Sequence, residues 1–215
     1  MKVFVTGIST EVGKTIASAI LAEALEADYW KPVQAGDLNY SDAHKVKKLV
    51  SNSKTRLHPN SYALQTPMSP HAAAEKEGIT IDLKKIKEPD TENHLVIEGA
   101  GGLLVPLNET QTIADLLQPG YKVVVVSRHY LGSINHTLLT LRFLRERGAE
   151  TALIFNGYEP GNYQVKTTES IIGKMSGVPV IGRIENEPYF DAAVVRAYAE
   201  EWEEKLKSIW NITSP

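Results

Sequence analysis

The sequence predicts an α/β protein built on a mostly parallel, doubly wound sheet with helices on both faces. Two observations point there. Short runs rich in Val, Ile and aromatic residues alternate with amphipathic stretches of helical spacing, the pattern of strand–helix–strand units. The runs are also apolar at nearly every position rather than at every second one, as strands are when both faces of their sheet are covered.

The elements follow in order. Val3–Thr6 is the first strand, and Ile16, Ile20 and Ala24 share a helical face with Ala17, Leu21 and Leu25 after it. Tyr29–Pro32 is the second strand. The Lys45–Lys48 run falls on a short helix and reads as a solvated face. Pro59, Pro67, Pro70 and Pro89 break any pattern in Ser51–Glu92, which reads as an irregular insertion holding one helix, about Pro70–Glu77. Further strands are expected at His94–Glu98, Val123–Ser127, Thr151–Asn156 and Val178–Gly182. Between them Ile134, Leu138, Leu141 and Leu144 mark a helix that Gly148 ends. Near the carboxyl terminus Val194, Tyr198, Trp202 and Leu206 recur every fourth residue, a core-facing stripe. Residues 1–215 therefore read as one domain with an insertion at about 51–92.

Composition narrows the function. A chain of 215 residues is long enough for one sizeable core. Its net charge of -3 gives no electrostatic reason to expect nucleic acid or an anionic membrane as partner. The absence of cysteine excludes disulfides, thiolate nucleophiles and cysteine-ligated zinc, and the six histidines show no metal-ligand spacing. The first apolar run is too short for the core of a signal peptide, and none approaches the ~20 residues that span a bilayer. A cytoplasmic location is expected, so the sequons at Asn108, Asn135 and Asn211 carry no meaning.

The strongest signal is Gly7-Ile8-Ser9-Thr10-Glu11-Val12-Gly13-Lys14-Thr15, set directly between the first strand and the first helix. Amides in such a turn point at phosphate oxygens, and the helix amino terminus adds partial positive charge. The spacing predicts a P-loop, with Lys14 on the β- and γ-phosphates of a nucleotide and the Thr15 hydroxyl on magnesium. One residue more than usual separates Gly7 from Gly13, so Ile8 takes the first glycine's slot.

Three further residues stand where a P-loop enzyme needs them. Lys31 closes the second strand, where it is either a surface charge or an anion ligand. Asp42, in Ser41-Asp42-Ala43, begins a helix, as an acid favoured by the helix dipole or as a metal ligand. Glu98 closes a strongly apolar strand ahead of Gly99-Ala100-Gly101-Gly102. A carboxylate there rarely serves packing and points to magnesium or water.

Together these pieces resemble the dethiobiotin synthetase family. The resemblance rests on Thr6–Thr15, Lys31–Gly36 (Lys-Pro-Val-Gln-Ala-Gly), Ser41–Ala43, Ser69-Pro70-His71, Glu98–Gly102 and Gly132–His136, in that order over about residues 1–185. It implies an ATP-dependent cyclo-ligase that carboxylates 7,8-diaminopelargonate with CO2, phosphorylates the carbamate and closes a ureido ring. Lys14, Lys31 and Thr10 would then serve the chemistry, and Thr15, Asp42 and Glu98 would hold Mg2+. ATP contacts are implied at Glu11, Val12, Gly13, Lys14, Thr15 and Ile16, at Asp42, and along Glu98, Gly99, Ala100 and Gly101. Further contacts fall at Asn156, Gly157, Glu185, Asn186 and Glu187, around the base. The diamine would meet Lys31 and Ala35 and, across a homodimer interface, Gly132 and Asn135. His71 and His136 are expected to organise loops.

Two positions depart from the family's pattern. Ala35 stands where Ser or Thr is usual, so a substrate hydroxyl contact is lost or moves to backbone, and Glu185 replaces a frequent proline. Two other readings remain: a related amide-forming P-loop synthetase, and a Walker-type partition ATPase acting as a switch. The partition family usually carries a second lysine early in its phosphate loop, where this chain has Ile8-Ser9-Thr10.

Overall fold

The computed structural model describes residues 1–211. In chain order its elements are β1 (Lys2–Gly7), α1 (Lys14–Ala24), β2 (Asp28–Trp30), β3 (Val33–Ala35), α2 (Asp42–Leu49), β4 (Leu57–His58), β5 (Tyr62–Leu64) and α3 (Pro70–Lys76). There follow β6 (Leu95–Gly102), β7 (Lys122–Arg128), α4 (Ser133–Glu146), β8 (Glu150–Tyr158), α5 (Tyr163–Ser176), β9 (Val180–Glu185) and α6 (Ala192–Trp210). Seven strands pair in the order β4-β2-β6-β1-β7-β8-β9, and every pair is parallel. β3 and β5 form a separate parallel pair.

Alternation along the strands divides the core between the two faces. Val3, Val5, Val124 and Val126 pack with α1, α2 and α6, while Phe4, Val123, Val125 and Phe155 pack with α3, α4 and α5. This is the doubly wound arrangement expected. From β1 the chain moves out to β2 on one side, and after β6 it moves to β7 on the other. That reversal beside β1 is the switch point at which such sheets bind ligands, outside the strands' carboxyl ends.

Several boundaries differ from expectation. β2 stops at Trp30, so Lys31 lies just past it, and β6 continues through Glu98 to Gly102. β9 starts and ends later than Val178–Gly182. Gly182 lies inside it because Trp202 of α6 covers that position: a Cβ there would sit 2.1 Å from Trp202 Nε1. α5 was not anticipated at all. Within 51–92 the chain adds β4 to the main sheet and β5 beside β3, so this segment is more ordered than its prolines suggested.

Candidate active site

The phosphate loop folds as its sequence requires. Gly13 caps α1 with φ 94°, a conformation open to glycine, and a Cβ there would lie 2.2 Å from Asn156 Nδ2. Glu11 is also left-handed, with φ 55°. Lys14 folds back across the loop and donates from Nζ to the Ser9 carbonyl at 3.0 Å. Thr15, in the first turn of α1, donates from Oγ1 to Glu98 Oε1 at 3.1 Å.

Beside the loop lies a cavity of about 730 Å³ at the carboxyl ends of β1, β2 and β6. Thr10, Glu11, Gly13, Lys14, Thr15, Ile16, Lys31, Ala35, Asp42, Glu98, Ala100 and Gly101 all line it. Pro67, Met68, Ser69 and Pro70 form the opposite wall. That wall is fixed to the Lys31–Gly36 segment, since a Cβ on Gly36 would sit 2.8 Å from the Pro67 backbone.

The floor is a buried charge cluster. Lys31 Nζ donates to Asp42 Oδ2 and, at 3.0 Å, to Glu98 Oε1. Glu98 is 1% exposed, and its second oxygen accepts from the Tyr29 hydroxyl at 2.9 Å. Asp42 also accepts from Lys45 Nζ at 3.1 Å, and its amide donates to the Gln34 side chain at 3.4 Å. Lys45 is thus partly drawn into the site rather than lying on a solvated face with Lys47 and Lys48.

The charges perturb one another in readable directions. Burial opposes the Lys31 ammonium, but Glu98 and Asp42 outweigh it and hold its pKa above the ordinary lysine value. Asp42 is also opposed by burial, yet Lys31 and Lys45 bring its pKa down to about 2. Lys14 goes the other way: burial, reinforced by Lys31, lowers its pKa to about 8 despite Glu98 and Asp42.

Lys14 therefore titrates in an accessible range. Nucleotide phosphates favour its charged form, so ATP affinity is expected to weaken as pH rises through the free-protein pKa of about 8. Between about pH 7.5 and pH 9 the loss should be roughly tenfold, with net proton uptake on binding. Calorimetry in buffers of different ionisation enthalpy reads both quantities. A flat affinity over that window would mean that Lys14 stays charged throughout.

Not every residue singled out by sequence comes to this cavity. Val12 and Gly99 are buried behind it. Asn156 packs on Gly13, and its Nδ2 donates to the Val12 carbonyl at 2.8 Å. Gly157 lies next to Asn186, whose Oδ1 would be 3.5 Å from a Cβ on it, and neither lines the cavity. Glu185 and Glu187 are both tied to Tyr198, through the Glu185 amide at 3.0 Å and Glu187 Oε1 at 2.6 Å. Gly132, with φ 100°, caps α4 and lies exposed with Asn135 and His136, away from the cavity lining. Sequence reading missed Tyr29, Gln34 and Lys45. Tyr29 alone left a trace, as a hydroxyl-bearing residue in a strand buried on both faces.

Asp42, Glu98 and the Thr15 hydroxyl, the set expected from sequence to hold magnesium, line this one cavity. Among the described residues no group of three or more His, Cys, Asp and Glu side chains gathers as a cation site. Hard oxygen donors in that small number suit Mg2+, which takes one or two carboxylates and completes its shell with phosphate oxygens and water. The Lys31 ammonium between Asp42 and Glu98 shows that this oxygen set draws positive charge.

A loop built to cradle phosphates, at the switch point of a parallel sheet, makes this a P-loop nucleotide-binding protein. The model of a family described as AAA domain matches residues 1–194. An ATP-dependent dethiobiotin synthetase of Christiangramia forsetii is 59% identical, over 96% of this chain and 98% of its own length. One of Cytophaga hutchinsonii is 49% identical over 92% of this chain and 95% of its own. Among solved structures, a plasmid-partition candidate of Borrelia burgdorferi B31 bound to AMPPNP superposes with a TM-score of 0.61. It covers 98% of this chain and 97% of its own at 17% identity, a likeness of fold alone. The chain belongs to the dethiobiotin synthetase family.

Proposed function

We propose that the protein uses ATP to carboxylate 7,8-diaminopelargonate with CO2 and to close the ureido ring of dethiobiotin, releasing ADP and phosphate. The observation that carries this reading is a second buried lysine, Lys31, beside the P-loop lysine in one cavity. A P-loop needs one lysine for ATP. A second is called for when another anion must be held next to the γ-phosphate, and a carbamate formed on the diamine is such an anion.

In this reading one amine captures CO2 as a carbamate, whose oxygen attacks the γ-phosphorus. Lys14 and Lys31 offset the repulsion between the two anions, and Thr10 hydrogen-bonds the transferring phosphoryl group. The second amine then attacks the activated carbon, and phosphate leaves as the ring closes. Thr15, Asp42 and Glu98 would hold Mg2+, which supplies charge neutralisation on the phosphates when bound. Ala35 offers no hydroxyl to the diamine, so that side of the cavity contributes backbone and shape.

An apolar hollow of about 460 Å³ meets the cavity at Thr10 and Val105 and runs past Leu103, Leu104 and Phe143 to His136 and Leu139. It suits the diamine's aliphatic chain and leads toward the start of α4, where Gly132 and Asn135 would meet the carboxylate. Leu104 and Leu139 stay exposed on its rim, and Leu131 beside Gly132 is fully exposed. An apolar face of this kind supports a homodimer in which this end of α4 completes the substrate site. Among the described residues no helix is long and apolar enough to cross a membrane, and a cytoplasmic location fits the small-molecule substrates.

The test is incubation with ATP, Mg2+, bicarbonate and the diamine, followed by mass spectrometry for the cyclic urea and sedimentation of the same sample. ATP cleavage should rise sharply only when both the diamine and CO2 are present. Equal ATPase activity without diamine would favour a switch ATPase, and a fully active monomer would remove the shared substrate site.

A further inference from the structure

A phosphate loop turns its amides inward and so leaves carbonyls facing out, where each needs a donor. Side chains meet three of them. Ser9 O accepts from Lys14, Glu11 O accepts from Arg128 Nη1 at 3.0 Å, and Val12 O accepts from Asn156 Nδ2 at 2.8 Å. Lys14 belongs to the loop's own helix. The other two donors are 117 and 144 residues away from their acceptors in sequence. Arg128 and Asn156 are register partners at the carboxyl ends of β7 and β8, so adjacent strands present them side by side to consecutive carbonyls.

The carbonyls they hold lie within the strained part of the loop. Glu11 has φ 55° and Gly13 has φ 94°. A non-glycine residue in the left-handed region persists only where its surroundings over-determine it. Asn156 is itself fixed, because its Oδ1 accepts from the Gly157 amide at 2.9 Å.

We propose that Arg128, together with Asn156, is a positioning residue for the nucleotide's phosphates. The pair holds Glu11–Gly13 in the anion-binding conformation before the nucleotide arrives. Part of the phosphate affinity is therefore set at the ends of β7 and β8 rather than in the loop's own sequence. The same contact gives Asn156 work at the loop in addition to any contact with the base. The inference rests on Gly7–Thr15 being the phosphate site.

Arg128 is exposed, so Arg128→Ala should melt at the wild-type temperature. Its ATP and ADP affinities, read by calorimetry, are expected to weaken by ~5- to 10-fold alike, the factor by which the binding-competent loop loses population. Hydrogen exchange at residues 8–13 of the nucleotide-free protein should speed up in parallel. Arg128→Lys, which keeps one donor, should restore most of both effects. Asn156→Ala should weaken tripolyphosphate, a ligand with no base to read. Unchanged affinity and exchange in Arg128→Ala would overturn the proposal. So would weaker affinity with unchanged exchange, which would mean that Arg128 touches the nucleotide directly. Tripolyphosphate binding untouched in Asn156→Ala would remove Asn156 from the pair. Lys14→Ala is the control: if it leaves ATP binding intact, the phosphate-site reading fails, independently of Arg128.

Discussion

Glu98→Gln is expected to lower magnesium-dependent turnover by ~100-fold or more while leaving affinity for the diamine within about threefold, because a metal supplies several kcal/mol of charge stabilisation. The substitution preserves shape and most hydrogen bonds. One glutamine oxygen can still accept from Thr15 and Lys31, and the amide nitrogen can donate to Tyr29, whose hydroxyl then turns to accept. What disappears is a negative charge that is 1% exposed, where water screens little of its effect. Charge should therefore dominate over geometry. Turnover measured across a magnesium titration, alongside diamine affinity by calorimetry, separates the two. Metal dependence unchanged from wild type would mean that Glu98 is no ligand and that its pairing with Lys31 is structural.

The parts of the fold legible in sequence were those that carry their signal locally. β1, β7 and β8 read as strands because burial on both faces makes each a continuous apolar run. α5 did not read as a helix, since Val165, Glu169 and Ile172 are its buried positions and one of those is an acid. That acid is paired across the fold with His129 and Arg183, partners no local pattern reveals. β9 spans Val180–Glu185 rather than the expected Val178–Gly182, and Gly182 lies inside it as the spot on which Trp202 of the distant α6 rests, a contact no local pattern shows. The site divides in the same way. Lys14 and Thr15 sit in a contiguous motif. Tyr29 meets Glu98 only because β2 pairs with β6 with Tyr29 opposite Val96, and Arg128 reaches the loop only because β7 lies beside β1. Residues recruited by strand register are invisible until the register is known.

Lys31→Gln is the substitution on which the ligase reading depends most. Lys14 serves ATP in any P-loop protein, but in the proposed reaction the Lys31 ammonium holds the carbamate against the γ-phosphate. ATP affinity should therefore change little, while ring formation falls by ~100-fold or more, about 3 kcal/mol, the scale of a lost transition-state donor. Lys31→Arg should rescue only part, because a planar fork cannot occupy the position of a compact ammonium. The structure adds a second consequence. Lys31 lies between Asp42 and Glu98, so its removal leaves the buried Glu98 carboxylate without its counter-charge beside the half-buried, Lys45-paired Asp42, at a cost of about 3–5 kcal/mol. The sign of the pH dependence follows from Asp42. Its pKa of about 2 lies below the ordinary 3.8, so Lys31 contributes stability that is fully present above about pH 4 and fades as pH falls through 2. The gap in stability between wild type and Lys31→Gln should accordingly be widest near neutrality and narrow in acid. Three measurements on one preparation decide the matter: denaturant melts against pH, ATP affinity by calorimetry, and cyclic urea by mass spectrometry. If ATP affinity and ring formation fall together in folded protein, Lys31 is merely part of the nucleotide site. If the melt shifts but ring formation does not, the lysine is a structural counter-charge and the carbamate is held elsewhere.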